Sequence, residues 1–276
     1  MTHPRQASDG VAARVRYINA DWRERADSPR IGSRESRRAN TSMQDVRVHD
    51  ARPELGALGT AVEELDRAGF TLTGLTPSLR DFRDEAGVAR DYYPQVEATV
   101  ERVGGAHRAL VRNHLIRTET PVDFNDGYAR FVHCDYNIRR LNEMSEALLV
   151  ERGIEPQKNW IYAWYNTWQP FDHPAVMNPL AFIDWRSLPA EDVIDYYYTG
   201  RNRDSLVAAP VYNPAHRWCY FPDMATDEII VFKQLDGRPD RAVYCPHTSF
   251  DVPDAPADAP PRRSIECRVL AIYETN

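Results

Sequence analysis

Nowhere does this chain carry the run of about 18 apolar residues that a membrane-spanning helix needs, so no such helix is expected. A basic surplus is missing too: 41 Asp and Glu outnumber 34 Lys and Arg, leaving a formal charge of −7. Gripping a phosphate backbone calls for the opposite balance, and nucleic acid is not an expected partner. Cysteine is scarce. The four residues, Cys134, Cys219, Cys245 and Cys267, form no C-x-x-C pair, which argues against a zinc ribbon or a thioredoxin-like motif. Buried free thiols in a reducing compartment are the expectation. The opening stretch "MTHPRQASDGVAARVRY" lacks the apolar centre of a secretory signal, and Asp9 and Asp21 do not suit a transit peptide, so the expected location is the cytoplasm. Internal repeats are absent, and the one biased tract is "DVPDAPADAPP", a stiff Pro-rich loop.

What is present points to strands. The 276 residues suffice for one large domain with a substantial core, and 20 prolines with 11% aromatic residues favour turns and strands over a helical bundle. Residues 24 to 45 are polar and Arg-rich, which predicts an N-terminal arm over 1–45 that is partly irregular, followed by the main domain over 46–276. "VRVHDAR" reads as a short strand with Val46 and Val48 on one face. "ELGALGTAVEELDRAGF" reads as a helix with Leu58, Val62 and Leu65 in one stripe, stopped at Gly69. A second helix starts near Asp91, takes Pro94 in its first turn and ends at Gly104 and Gly105. "ALVRNHLIRTE" follows as a strand and "NIRRLNEMSEALLVERG" as a helix. Strands are then expected at 159–168, 179–188, 216–222, 227–236, 242–250 and 264–274, with one helix around "PAEDVIDYYYT". This order predicts a mainly β sandwich or barrel with flanking helices on one side.

In "FVHCDYN", residues 131–137, strand alternation would turn His133 and Asp135 to one surface and Cys134 to the other. Two histidines and one carboxylate occupy one face of an iron(II) ion and leave the opposite positions open. Of the other histidines, His3 lies in the tail, His49 in a short strand, His107 after two glycines and His114 among arginines. His173 and His216 sit close to prolines. His247, late in the chain at a strand end among apolar neighbours, is the chosen third ligand. A hydrogen-bonded core or surface histidine is the competing reading. Fifteen residues later "PRRSIECRVLAIY" puts Arg262, Ser264, Glu266 and Arg268 on one strand face. An arginine fork beside a hydroxyl suits a dicarboxylate; a plain Glu266–Arg268 surface pair is the alternative.

The ordered set "FVHCDYN", "YNTWQP" with "NPLAFID", "VFKQLD", "PHTSFDVP" and "PPRRSIECRVL" resembles the CmcJ/AsaB-type family of iron(II)- and 2-oxoglutarate-dependent oxygenases. The likeness runs from about residue 46 to the C-terminus. It implies a double-stranded β-helix, the jelly-roll core of cupin-like proteins, with Fe(II) on His133, Asp135 and His247. It also implies 2-oxoglutarate held by Arg262 and Ser264, with Arg268 as a second candidate, and O2 as the other cosubstrate. The implied reaction couples oxidative decarboxylation of 2-oxoglutarate to hydroxylation or desaturation of a small secondary metabolite. Gln169, Asn137 and Arg263 depart from residues common at those places in the family, without removing a ligand. Substrate or cosubstrate candidates are Tyr136, Arg139, Tyr165, Asn166, Trp168 and Lys233, among which Asn166 and Lys233 stand out because polar groups on interior strands need partners. Two other readings stay open: a cupin-like metal-dependent isomerase or hydrolase, and a non-catalytic partner of a biosynthetic enzyme. The expected partner is a small molecule, with no membrane involved; the Arg-rich segment has the length to wrap a second subunit in a homo-oligomer.

Overall fold

The strand-rich second half pairs with strands from the first half to make two facing sheets. The computed structural model describes residues 10–118, 130–200 and 204–275; His3 and Glu119 lie outside the described residues. One five-stranded sheet runs β1 (Val11–Ile18), β3 (Thr41–Asp50), β10 (Trp218–Tyr220), β7 (Leu180–Ile183) and β12 (His247–Ser249). The other runs β4 (Phe70–Gly74), β11 (Glu228–Asp236), β6 (Trp160–Pro170), β13 (Ser264–Glu274) and β5 (Arg108–Arg117). A small third sheet joins β2 (Arg30–Ile31), β8 (Val193–Tyr198) and β9 (Ser205–Pro210). The helices are α1 (Arg34–Asn40), α2 (Arg52–Leu55), α3 (Ala61–Arg67), α4 (Glu85–Gly87), α5 (Tyr93–Gly104) and α6 (Leu141–Glu151). This is the expected mainly β, jelly-roll architecture.

Alternation along β6 decides what faces what. Ala163 and Tyr165 turn outward and pack with Val96, Val100 and Val103 of α5. Trp164, Asn166 and Trp168 turn inward, toward the first sheet. There the Phe182 ring on β7 meets Phe70 and Phe232 at centroid separations of 5.2 and 5.0 Å. Each such fully buried aromatic stabilises by about 1.5–3 kcal/mol, so the inner faces are held together by aromatic packing. β1 is fastened by a buried polar chain: Trp218 Nε1 donates to Tyr17 Oη (2.9 Å), which meets His216 Nδ1 (3.0 Å), and His216 Nε2 meets Asp192 (2.9 Å). His216 is therefore a core histidine.

Four local expectations are corrected. The stripe Leu58–Val62–Leu65 does not form one helix. Thr60 and Glu63 make a reciprocal capping box that starts α3 afresh, and Gly59 at φ +114° turns the chain out of α2. "PAEDVIDYYYT" is not one helix: after a single 3-10 turn at Ala190–Asp192 the β-branched and aromatic run Val193–Tyr198 pairs antiparallel with β9, a strand not foreseen. The Arg-rich stretch 24–45 is not free of core elements, because Ile31 is buried against Tyr196 and Val207, and α1 is capped by Ser33 and Ser36. Finally, "FVHCDYN" is not a strand running along a sheet. It crosses between β12 and β9, making one isolated bridge to each, His133 with His247 and Cys134 with Ala208.

Candidate metal centre and adjoining cavity

That crossing brings the two histidines together. His133 N donates to the His247 carbonyl (3.2 Å) and His247 N to the His133 carbonyl (3.1 Å), a closed antiparallel pair. Their rings lie 4.6 Å apart between centroids. Each ring is oriented the same way, Nδ1 meeting a carbonyl two residues earlier: Phe131 for His133 (2.8 Å) and Cys245 for His247 (3.1 Å). Such a bond fixes Nδ1 as the donor and leaves the Nε2 lone pair for a metal. Asp135 completes the group, with Oδ1 3.5 Å from His133 Nε2, and one ligand atom from each of the three residues lies within 4.8 Å of the others. Burial, followed by the field of His133, holds the His247 imidazole at a pKa of about 3, so it is neutral near pH 7.

The carboxylate is held from behind. Asp135 Oδ2 accepts from Asn166 Nδ2 (2.7 Å) and lies 3.2 Å from Arg268 Nη2, while its backbone N donates to Gln234 (2.8 Å). Burial alone would raise the Asp135 carboxyl, but the Arg268 guanidinium and then His133 outweigh it and hold it well below the usual range. Glu266 goes the other way, raised first by burial and then by Asp135. The pairing follows from register: on β13 and β6, Arg268 sits opposite Asn166 and Glu266 opposite Trp168, so one shared face supplies all four. Two imidazole nitrogens and one anionic carboxylate oxygen make a donor set that fits iron(II).

Arg262 is buried deeper along the same face. Its Nη1 donates to the Asn178 carbonyl (2.6 Å) and reaches Ser249 Oγ at 3.5 Å, and its guanidinium lies 5.5 Å from the Trp168 ring centroid. β6 thus leads from Asp135, through Asn166, to Arg262, through Trp168. Along that path Asn166 Oδ1, Trp168 Nε1 and Ser264 Oγ are buried without a hydrogen-bond partner among the described residues. Each orphan of this kind costs about 1–3 kcal/mol. Three together, beside a buried arginine, are what a ligand with several oxygens would satisfy.

The remaining candidates divide. Tyr136 lines the adjoining cavity, its ring edge-on to Trp164 at 5.3 Å. Arg139 is exposed and pairs with Asp195 at 2.9 Å, away from the triad. Tyr165 and Lys233 point through the opposite face of the second sheet. Tyr165 Oη meets Tyr273 Oη at 2.8 Å, and Lys233 Nζ pairs with Asp236 (2.6 Å) and Asp66 (3.0 Å). The partner that a buried lysine requires was real, but it lies outside the site. Gln234 was missed by sequence reasoning; its inward position, next but one to Phe232, was the available signal.

Replacing Asn166 with Ala is expected to lower metal affinity about 10- to 100-fold, the usual cost of losing an outer hydrogen bond to a ligand, with the melting curve little changed; metal titration checks it. Cys134, packed in the core away from the triad, should be dispensable: Cys134→Ala retains metal binding while costing about 1 kcal/mol of stability, as a denaturant melt would read.

Residues 4–272 match the family described as the oxidoreductase/YMDC permease-like domain. Among curated proteins, the Fe(II)/2-oxoglutarate-dependent dioxygenase nvfI of Aspergillus novofumigatus is 29% identical over 84% of this chain and 84% of its own. The alpha-ketoglutarate-dependent dioxygenase phiK of a fungal species is 29% identical over 86% of each chain. The hydroxylase/desaturase efuI of Hormonema carpetanum is 29% identical over 98% of this chain and 92% of its own. A solved structure of the iron and alpha-ketoglutarate-dependent endoperoxidase NvfI superposes with a TM-score of 0.82 at 22% identity, covering 96% of this chain and 98% of that one. It has the same fold.

Proposed function

The chain belongs to the oxidoreductase/YMDC permease-like domain family, and from that premise we propose that it is an Fe(II)- and 2-oxoglutarate-dependent dioxygenase that hydroxylates or desaturates a small secondary metabolite. The relatives named above as Fe(II)/2-oxoglutarate-dependent or alpha-ketoglutarate-dependent dioxygenases support the reaction class. The observation that carries it is the convergence of His133, Asp135 and His247, with both Nδ1 atoms occupied by carbonyls. Within this reading the CmcJ/AsaB-type likeness is the finer assignment, the catalytic domain spans 46–276 with 1–45 as its N-terminal extension, and the enzyme works in the cytoplasm on a small molecule. A homo-oligomer is compatible with it.

Iron(II) with 2-oxoglutarate and O2 supplies the oxidising power to take hydrogen from unactivated carbon, which no side chain can do. The protein's part is to bind and orient. His133 and His247 offer Nε2, Asp135 offers Oδ1, and Asn166 with Arg268 keeps the carboxylate charged and aimed. Arg262 and Ser264 hold the far carboxylate of the keto acid. Arg268, committed to Asp135, is a positioning residue in this scheme. The wall beside the triad holds the substrate at a fixed distance and excludes water. Purified protein given Fe(II), 2-oxoglutarate and O2 should release succinate; no succinate above a metal-free control, across several preparations, would defeat the reading.

A further inference from the structure

A cavity of about 510 Å³ opens beside His133 and Asp135, a volume suited to a small organic ligand. Its walls are chemically divided. Met144 and Leu148 of α6, Leu206 and Val207 of β9, and Phe131 are apolar. Six arginines also line it against three carboxylates, in a chain whose overall charge is −7. Three of those arginines are engaged: Arg268 with Asp135, Arg140 with Glu143 and Arg130 with Asp251. Arg112 and Arg117 have no carboxylate at ion-pair distance among the described residues.

β5 is built to present them. Its pairing with β13 slips by one residue between Arg268–Asn113 and Val269–Val111, leaving Arg112 as the extra residue of a bulge. A bulge of this kind turns both its residues to one side, and Arg112 and Asn113 both line the cavity. The Val111 carbonyl beside it accepts from Arg152 Nη2 at 2.7 Å, which fixes the distortion. Beyond it, alternation sends Leu115 and Arg117 to the same wall. Arg112 rests 5.9 Å from the Trp164 ring centroid, an aromatic contact that leaves its fork available.

We propose that the substrate has an apolar body and a carboxylate, the carboxylate held by Arg112 and Arg117 while the body lies against α6 and β9 beside the triad. This rests on the metal-centre reading above and adds the substrate class. Guanidinium forks bind carboxylates in bidentate fashion, and a cavity lined by like charges concentrates anions. Anchoring the acid on β5 would set which carbon faces His133 and Asp135.

The test uses decanoate and decanol as probes, titrated calorimetrically into full-length protein loaded anaerobically with Fe(II) and 2-oxoglutarate. Decanoate should bind at least about tenfold more tightly than decanol, the worth of one charged hydrogen bond. The double variant R112Q/R117Q should bring the two within about twofold of each other and leave the 2-oxoglutarate titration unchanged. R112Q alone, at an exposed position on the bulge, should shift the preference in the same direction. Equal binding of the two probes to the parent protein would overturn the proposal. So would variants that weaken 2-oxoglutarate and spare decanoate, since the arginines would then be holding the cosubstrate. If the parent binds decanoate selectively but binds neither Fe(II) nor 2-oxoglutarate, the carboxylate site stands and the metal-centre reading falls.

Discussion

His133→Ala protein should lose iron(II) binding and, with it, all 2-oxoglutarate turnover. The expected drop in metal affinity exceeds the 10- to 100-fold that removal of an outer partner costs, because Nε2 itself is removed. The fold should survive. The backbone of His133, not its ring, makes the bridge to His247, and the ring lies in the cavity wall instead of the core. A stability loss of about 1 kcal/mol or less is therefore expected. Calorimetric titration with Fe(II) under anaerobic conditions, beside a thermal melt, reads the two effects separately. Full metal affinity in this variant would mean that the three residues converge for some other reason.

The second large effect is on the keto acid. Arg262→Gln should weaken 2-oxoglutarate about 10- to 100-fold, equivalent to the 1.5–3 kcal/mol of a hydrogen bond to a charged group, while Fe(II) binding is retained. Arg262 lies against the Asn178 carbonyl, Ser249 Oγ and the Trp168 ring, none of which belongs to the triad. The split between the two titrations is the point. A cupin-like isomerase or hydrolase would have no use for this arginine, and Arg262→Gln would then change neither ligand's binding. Since Arg262 is buried, a variant that unfolds would be replaced by Ser264→Ala, which removes an unpartnered hydroxyl at little structural cost and should weaken 2-oxoglutarate alone.

The long strands were the most legible part of the fold. β6, β11 and β13 each have an inward and an outward set of side chains, and their alternation places Ser264, Glu266 and Arg268 on one face as read from sequence, while Arg262 precedes the strand and reaches the same interior from the loop before it. His133 and Asp135 were legible by a rule that turned out not to apply, because 131–135 is a crossing with single bridges on either side. The two side chains converge through the bridge to His247 and the hold of Gln234 on Asp135, which are long-range contacts with no local signature. Lys233 misled for the same reason. Polarity on a buried strand marks a need for a partner, and only the tertiary fold shows that Asp66 and Asp236 on the outer side meet it. The helix expected around "PAEDVIDYYYT" is the strand β8 instead, where Val193, Ile194 and three tyrosines favour extended pairing. The bulge at Arg112 depends on register with β13, which the sequence does not display.

The central claim is that His133, Asp135 and His247 hold iron with 2-oxoglutarate stretched toward Arg262. A crystal of the full chain soaked anaerobically with Fe(II) and 2-oxoglutarate tests it most directly. The account predicts an iron anomalous peak bonded to His133 Nε2, Asp135 Oδ1 and His247 Nε2, with the far carboxylate of the keto acid on Arg262 and Ser264. Iron bound elsewhere, or the keto acid seated on Arg112 and Arg117, would contradict it.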